Sequence, residues 1–228
     1  MSFYEQLKQQ TVQEREMLLA APIIQRCLQG DICLDDYVAF LQQAYHHVKH
    51  TTPLLMTVGG RLPEEKEWLR DAVAEYIEEE LGHQEWVLND IASCGYDREA
   101  ARRSEPNLST ELMVAYAYDC VNRISPLCFF GMVLVLEGTS VALAENAAQS
   151  IATTLSLPAT AFSYLRSHGS LDVGHVDFFQ SLMNRITDPG EQQLIVRSAK
   201  VFYRLYGDIF RELRADHGLP RAVSARTA

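Results

Sequence analysis

Ser167-His168-Gly169-Ser170-Leu171-Asp172-Val173-Gly174-His175 is the stretch on which the reading of this chain turns. Its ligand-type residues recur as His-x3-Asp-x2-His. On a helix, offsets of four and seven bring His168, Asp172 and His175 to one face over two turns. Burying such groups without partners would cost several kcal/mol each. A cation offsets that cost by accepting imidazole nitrogen and carboxylate oxygen together. The plain alternative is a pair of solvated histidines capping or flanking a helix.

The surrounding composition is ordinary for a globular protein. The chain has 228 residues, 47% hydrophobic and 22% charged, enough to bury a full core. A net charge of −10 and a pI near 5.1 argue against nucleic acid or an anionic membrane as the main partner. Met1-Ser2-Phe3-Tyr4-Glu5-Gln6 has neither the basic nor the apolar region of a signal peptide. The apolar run from Pro126 to Leu136 falls short of a membrane span and ends at Glu137. Cys27, Cys33, Cys94, Cys120 and Cys128 are odd in number and scattered, as expected of reduced thiols in a cytoplasmic protein.

Apolar residues recur at helical spacing nearly throughout, without a convincing period-two strand. Helices are expected over Phe3–Leu19 with Ser2 as N-cap, Pro22–Leu28, Leu34–Thr57 with a kink at Pro53, and Pro63–Ser93. Further helices are expected over Ser109–Asn122, Pro126–Leu155, Pro158–Ile186 with a break at Gly169 or Gly174, and Glu191–Leu213. The fold class is therefore all-α: one bundle of seven to eight helices over residues 1–217, with a frayed tail over 218–228. Leu127–Leu136 is too uniformly apolar for a surface helix and should run through the middle.

Two other helices offer partners for the opening stretch. The apolar stripe Leu69, Val73, Tyr76, Glu80, His83, Val87 places Glu80 and His83 at consecutive core-facing positions. Glu-x2-His is the pairing that di-iron carboxylate bundles project inward. Glu78, Glu79 and Glu85 fall on the solvated face. Glu137 is a lone carboxylate in an apolar helix and needs a partner or a proton. Among the clustered histidines, His47 flanks the apolar stripe as a ligand or a supporting residue, while His46 and His50 point to solvent. Cys128 reads as a small packed hydrophobe.

On Glu80-x2-His83, Glu137 and His168-x3-Asp172-x2-His175, in this order on three helices, the chain resembles the heme-oxygenase-like diiron oxidases. That group shares the fold of TenA thiaminases, heme oxygenase and the coenzyme PQQ synthesis oxidase, and the resemblance covers residues 1 to 215. It implies two non-heme iron ions held by Glu80, His83, Glu137, His168, Asp172 and His175, with a homodimer as assembly. It also implies a small substrate, dioxygen and an electron donor. The outcome would be desaturation, oxidative decarboxylation with C–C cleavage, or N-oxygenation.

The family often supplies a further carboxylate from an earlier helix, where this chain offers the imidazole of His47. That neutral ligand opens manganese or mixed occupancy beside iron. Phe129, Phe130, Met132 and Val133 are expected to line a pocket for a partly aliphatic or amine-bearing substrate. A TenA-like thiaminase would use a cysteine such as Cys128, but Ala44 and Met132 stand where that branch has an aspartate and a tyrosine. A non-catalytic small-molecule-binding protein on the same scaffold is the other alternative.

Overall fold

The computed structural model describes residues 1–222, apart from the side chains of residues 168–175. Among the described residues are twelve α-helices joined by short turns, more than the seven or eight expected. The excess arises because three expected helices are each cut in two, and because a short helix over Arg98–Arg103 was not expected.

α1 (Phe3–Gln10) and α2 (Val12–Leu19) separate at Thr11. The Thr11 hydroxyl donates to the Leu7 carbonyl at 2.8 Å, competing for the acceptor that would continue the helix. Ser2 caps α1 as expected, in a reciprocal box with Glu5. α3 spans Pro22–Leu28. The expected kink at Pro53 is instead a break between α4 (Leu34–Val48) and α5 (Thr51–Arg61). A proline ring clashes with the carbonyl four residues back, here Lys49, but fits a first turn, where its missing N–H is not needed. The third cut divides α6 (Trp68–Glu80) from α7 (His83–Ser93).

α8 (Arg98–Arg103) and α9 (Leu108–Asp119) start on the caps Asp97 and Asn107. A wide turn over Cys120–Ile124 and a tight one over Pro126–Cys128 lead into α10 (Phe129–Leu155). α11 (Ser163–Asn184) and α12 (Pro189–Glu212) close the bundle.

α10 is the central helix, packed mainly against α11 and α12. By length and composition Pro126–Leu155 could cross a membrane, contrary to the expectation that Glu137 ends the apolar run. Burial accounts for that apolarity, since 61% of its most apolar stretch lies inside the fold. At Gly131 the helices α10 and α12 nearly touch. A Cβ there would come within 2.0 Å of Ser198 Oγ and 2.6 Å of the Ala199 nitrogen. The Ser198 hydroxyl uses that closeness to donate to the Cys128 carbonyl at 2.6 Å.

Among the described residues the β pairing found is one isolated bridge, Tyr96 with Arg221. It bears on the tail. Leu219 is buried, and the backbone of Asp97 and Ala222 bonds across to Pro220 and Gly95. Residues 218–222, expected as the start of a frayed end, are thus held against the turn after α7.

Candidate metal centre

Glu80 closes α6 and His83 opens α7, so the two do not share one continuous helix as expected. Between them Leu81 is extended and Gly82 adopts φ +91°, a left-handed conformation that glycine takes without steric cost. The turn still keeps the pair together, with His83 Nδ1 3.1 Å from Glu80 Oε2. A carboxylate accepts, so the proton sits on Nδ1, the tautomer in which histidine coordinates metals through Nε2. His83 is 3% exposed and its ring stacks on Trp86 at 4.0 Å.

Glu137 projects from α10 where the fully buried segment Phe129–Val135 gives way to partly buried residues, and its Oε2 is shielded from solvent. His47, on α4, is 2% exposed and meets Tyr206 edge-on, with ring centres 5.8 Å apart. His47, Glu80 and Glu137 line one cavity of about 50 Å³. Leu55, Phe129, Met132, Val133 and Leu136 supply its apolar wall. Phe130, expected beside them, is packed in the core instead and does not line the cavity.

Tyr76 borders the same space. Burial, followed by the fields of Glu137, Glu79, Glu75 and Glu80, pushes its phenol well above the ordinary range and keeps it protonated. Glu79, read from the sequence as solvated, buries one carboxylate oxygen. Glu85 does lie at the surface, clasped by Arg98 and Arg102.

Two histidines depart from expectation. His46 does not face solvent: it is 1% exposed, with Nε2 2.9 Å from the Ser104 hydroxyl and Nδ1 3.3 Å from Lys49 Nζ. Burial, then Lys49 and His50, lowers its pKa to about 4. His50 is half-buried and bonds the Tyr118 hydroxyl at 3.1 Å.

The side chains of His168, Asp172 and His175 lie outside the described residues. Their helix, α11, packs against α10 and α7, the helices of Glu137 and His83. Its first turn is fixed by buried Asp90 of α7, which accepts from the Ser163 and Tyr164 nitrogens at 2.9 Å each. Among the described residues no group of three His, Cys, Asp or Glu converges closely enough to hold an ion.

The donors at hand are carboxylate oxygens and imidazole nitrogens without a thiolate, a set suited to iron or manganese. They also bear on the form the iron takes. Glu80 and Glu137 would set two carboxylates against a heme that is apolar and itself anionic, so the cavity fits bare ions better. The sequence reading missed Tyr164 and Tyr206 as cavity residues. Tyr164 could have been found, since it stands one helical turn before His168 and so shares its face.

Solved structures of low sequence identity share this architecture. A heme-oxygenase-like domain of unknown function from Shewanella denitrificans is 22% identical, with TM-score 0.82 over 93% of this chain and 92% of that one. Heme oxygenase from Leptospira interrogans is 17% identical, with TM-score 0.75 over 93% of this chain and 100% of that one. A TenA homolog from Pseudomonas syringae is 11% identical, with TM-score 0.76 over 92% of this chain and 91% of that one. Among curated protein sequences none matches. Residues 38–207 match the family described as iron-containing redox enzymes, and the chain belongs to that family.

Proposed function

We propose that the protein is a non-heme diiron oxidase acting on a small, partly aliphatic or amine-bearing substrate. The observation that carries this reading is the meeting of Glu80, Glu137 and His47 in one cavity, with His83 hydrogen-bonded to Glu80. On this reading His168, Asp172 and His175 supply the remaining ligands from α11. Two iron ions held there would supply reduction of dioxygen and oxidation of an unactivated C–H or amine group.

The chain's own residues do the rest. The Glu80 carboxylate fixes the His83 tautomer, and the Trp86 ring holds that imidazole in plane. Tyr206 packs edge-on against His47 and sets its ring orientation. Phe129, Met132, Val133 and Leu136 exclude water from the side where a substrate carbon would lie. The Tyr76 phenol, kept protonated by burial and neighbouring carboxylates, borders the cavity without adding charge to it.

The TenA-like alternative needs a nucleophilic cysteine at the cavity. Cys128 is 2% exposed within the core and does not border that space. The test is oxygen consumption by protein loaded anaerobically with iron(II) and then supplied with reductant and air. Steady uptake that falls at least about tenfold in Glu137→Ala is expected, since removing an ion's ligand commonly costs that much. Absence of uptake in the loaded parent protein would overturn the proposal.

A further inference from the structure

The entry to α11 is fastened from two other helices. A helix start is ordinarily capped by the side chain just before it, but Phe162 stands there and offers no acceptor. The acceptor comes instead from α7. Asp90 is 0% exposed, and each of its carboxylate oxygens accepts one backbone amide, from Ser163 and from Tyr164, at 2.9 Å. Just before Phe162, the Ala161 carbonyl accepts from the hydroxyl of buried Tyr37 on α4 at 2.7 Å. Tyr37 also stacks on Phe162, with ring centres 5.5 Å apart.

These fastenings tie α11 to the helices of His83 and His47. His83 stands seven residues before Asp90, roughly 10 Å along α7 at about 1.5 Å per residue. His168 and Asp172 stand four and eight residues after Tyr164, roughly 6 and 12 Å along α11. A slip of α11 by one residue would shift it about 1.5 Å and turn it about 100°, where metal–ligand distances tolerate about 0.2 Å. A cap borrowed from α7 fixes that register, which a cap on α11 itself would leave free. A neutral hydroxyl before α11 would also cap it without burying a charge, so stability of the helix alone does not call for Asp90. The first turn held in this way walls two spaces. Tyr164, with Ser140 and Tyr206, lines both the cavity of Glu80 and Glu137 and an adjoining one of about 90 Å³ between α3, α4, α10, α11 and α12.

We infer that Asp90 is a positioning residue for the metal centre: it sets the register of α11 against α7 and so brings the α11 ligands level with His83. Its purpose rests on the diiron reading; the register itself rests on the two hydrogen bonds.

The experiment compares the full chain with Asp90→Ala, Asp90→Asn and Asn107→Ala. Asn107 caps α9 locally, accepting from the Thr110 nitrogen at 2.9 Å, and α9 carries none of the proposed ligands. Two readouts are taken: amide hydrogen exchange of the iron-free protein, and anaerobic titration with iron(II) or with cobalt(II), whose visible spectrum reports ligand geometry. In Asp90→Ala, exchange over residues 163–175 should quicken about tenfold, the scale of a lost cap, with α12 unchanged. Iron affinity should fall at least about tenfold and the cobalt spectrum should shift, as on loss of a group that orients ligands. Asp90→Asn, which keeps one acceptor oxygen, should recover part of both. Asn107→Ala should quicken exchange in α9 while binding iron and cobalt like the parent. If Asp90→Ala does not fold, the comparison of Asp90→Asn with Asn107→Ala carries the test. Unchanged exchange over 163–175, quickening spread equally to α12, parent-like metal binding in Asp90→Ala, or an equal loss of iron in Asn107→Ala would overturn the inference. A parent protein that takes up no iron, with faster exchange confined to 163–175 in Asp90→Ala, would sink the diiron reading and leave the register role standing.

Discussion

The two adjoining cavities share three residues and four helices, yet differ in the charge they gather. One gathers Glu80, Glu137 and His47, the other only Asp36, already paired with Arg26. The difference is made by which turn of α10 each meets. Met132, Val133, Leu136 and Glu137 face the first; Thr139, Leu143, Ala144 and Ala147 face the second. A carboxylate at one turn and alanines two turns later thus give two adjoining cavities on one helix different linings.

The largest expected effect lies in the first cavity. Glu137→Ala should abolish iron loading at one position, read by metal analysis, while keeping its helical circular dichroism. Its melting temperature without iron should not fall, because the change relieves repulsion with Glu80 and Glu79. Loss of the helical signal together with the iron would show that Glu137 holds the fold and not the ion.

Gly131 should affect both cavities at once, since it sets how closely α10 approaches α12. Gly131→Ala forces a Cβ to within 2.0 Å of Ser198 Oγ and 2.6 Å of backbone. Denaturant unfolding should report a loss of about 2 kcal/mol, typical of overpacking. An unchanged midpoint would mean the helices part more easily than the contact suggests.

A pH-dependent effect of comparable size is expected at His46. His46 is buried as the neutral ring, with its folded pKa near 4, below the ordinary 6.5. Its contribution is therefore present above pH 6.5 and is lost as pH falls from 6.5 toward 4. The loss should reach on the order of 3 kcal/mol, and His46→Gln should flatten that part of the stability curve. A parallel curve in the variant would remove His46 as the cause.

The smallest effect is expected of Cys128→Ser, which nearly conserves volume. It should cost about 1 kcal/mol for the buried hydroxyl and leave both iron uptake and oxygen consumption intact. Loss of turnover with iron still bound would favour covalent chemistry at that thiol.

Periodicity made most of this architecture legible. The stripe through Leu69, Val73 and Tyr76 led to Glu80 and His83 because buried faces repeat even where the helix does not. What it hid was the interruption itself. Spacing continues in phase across Leu81 and Gly82, so a left-handed glycine looked like one more helical residue. Pro53 did announce a break, but sterics place it four residues earlier, at Lys49. His46 was misplaced because its partner Ser104 lies 58 residues away, beyond any local pattern. Glu79 was likewise read by its own helix face, whereas neighbouring helices decide its burial. The second cavity had no sequence signature, since alanines in a helix read as packing until the facing wall is known. The signature that opened the reading, His168-x3-Asp172-x2-His175, lies outside the described side chains.

The central claim is that Glu80, His83 and Glu137 join the α11 residues around two irons. Anaerobic equilibrium titration of the full chain with iron(II), followed by metal analysis after gel filtration, tests it most directly. Close to two irons should be retained per parent chain and about one in Glu137→Ala and in Asp172→Ala, each variant keeping its helical circular dichroism. Retention of no iron by the parent protein, or equal retention by all three, would contradict it.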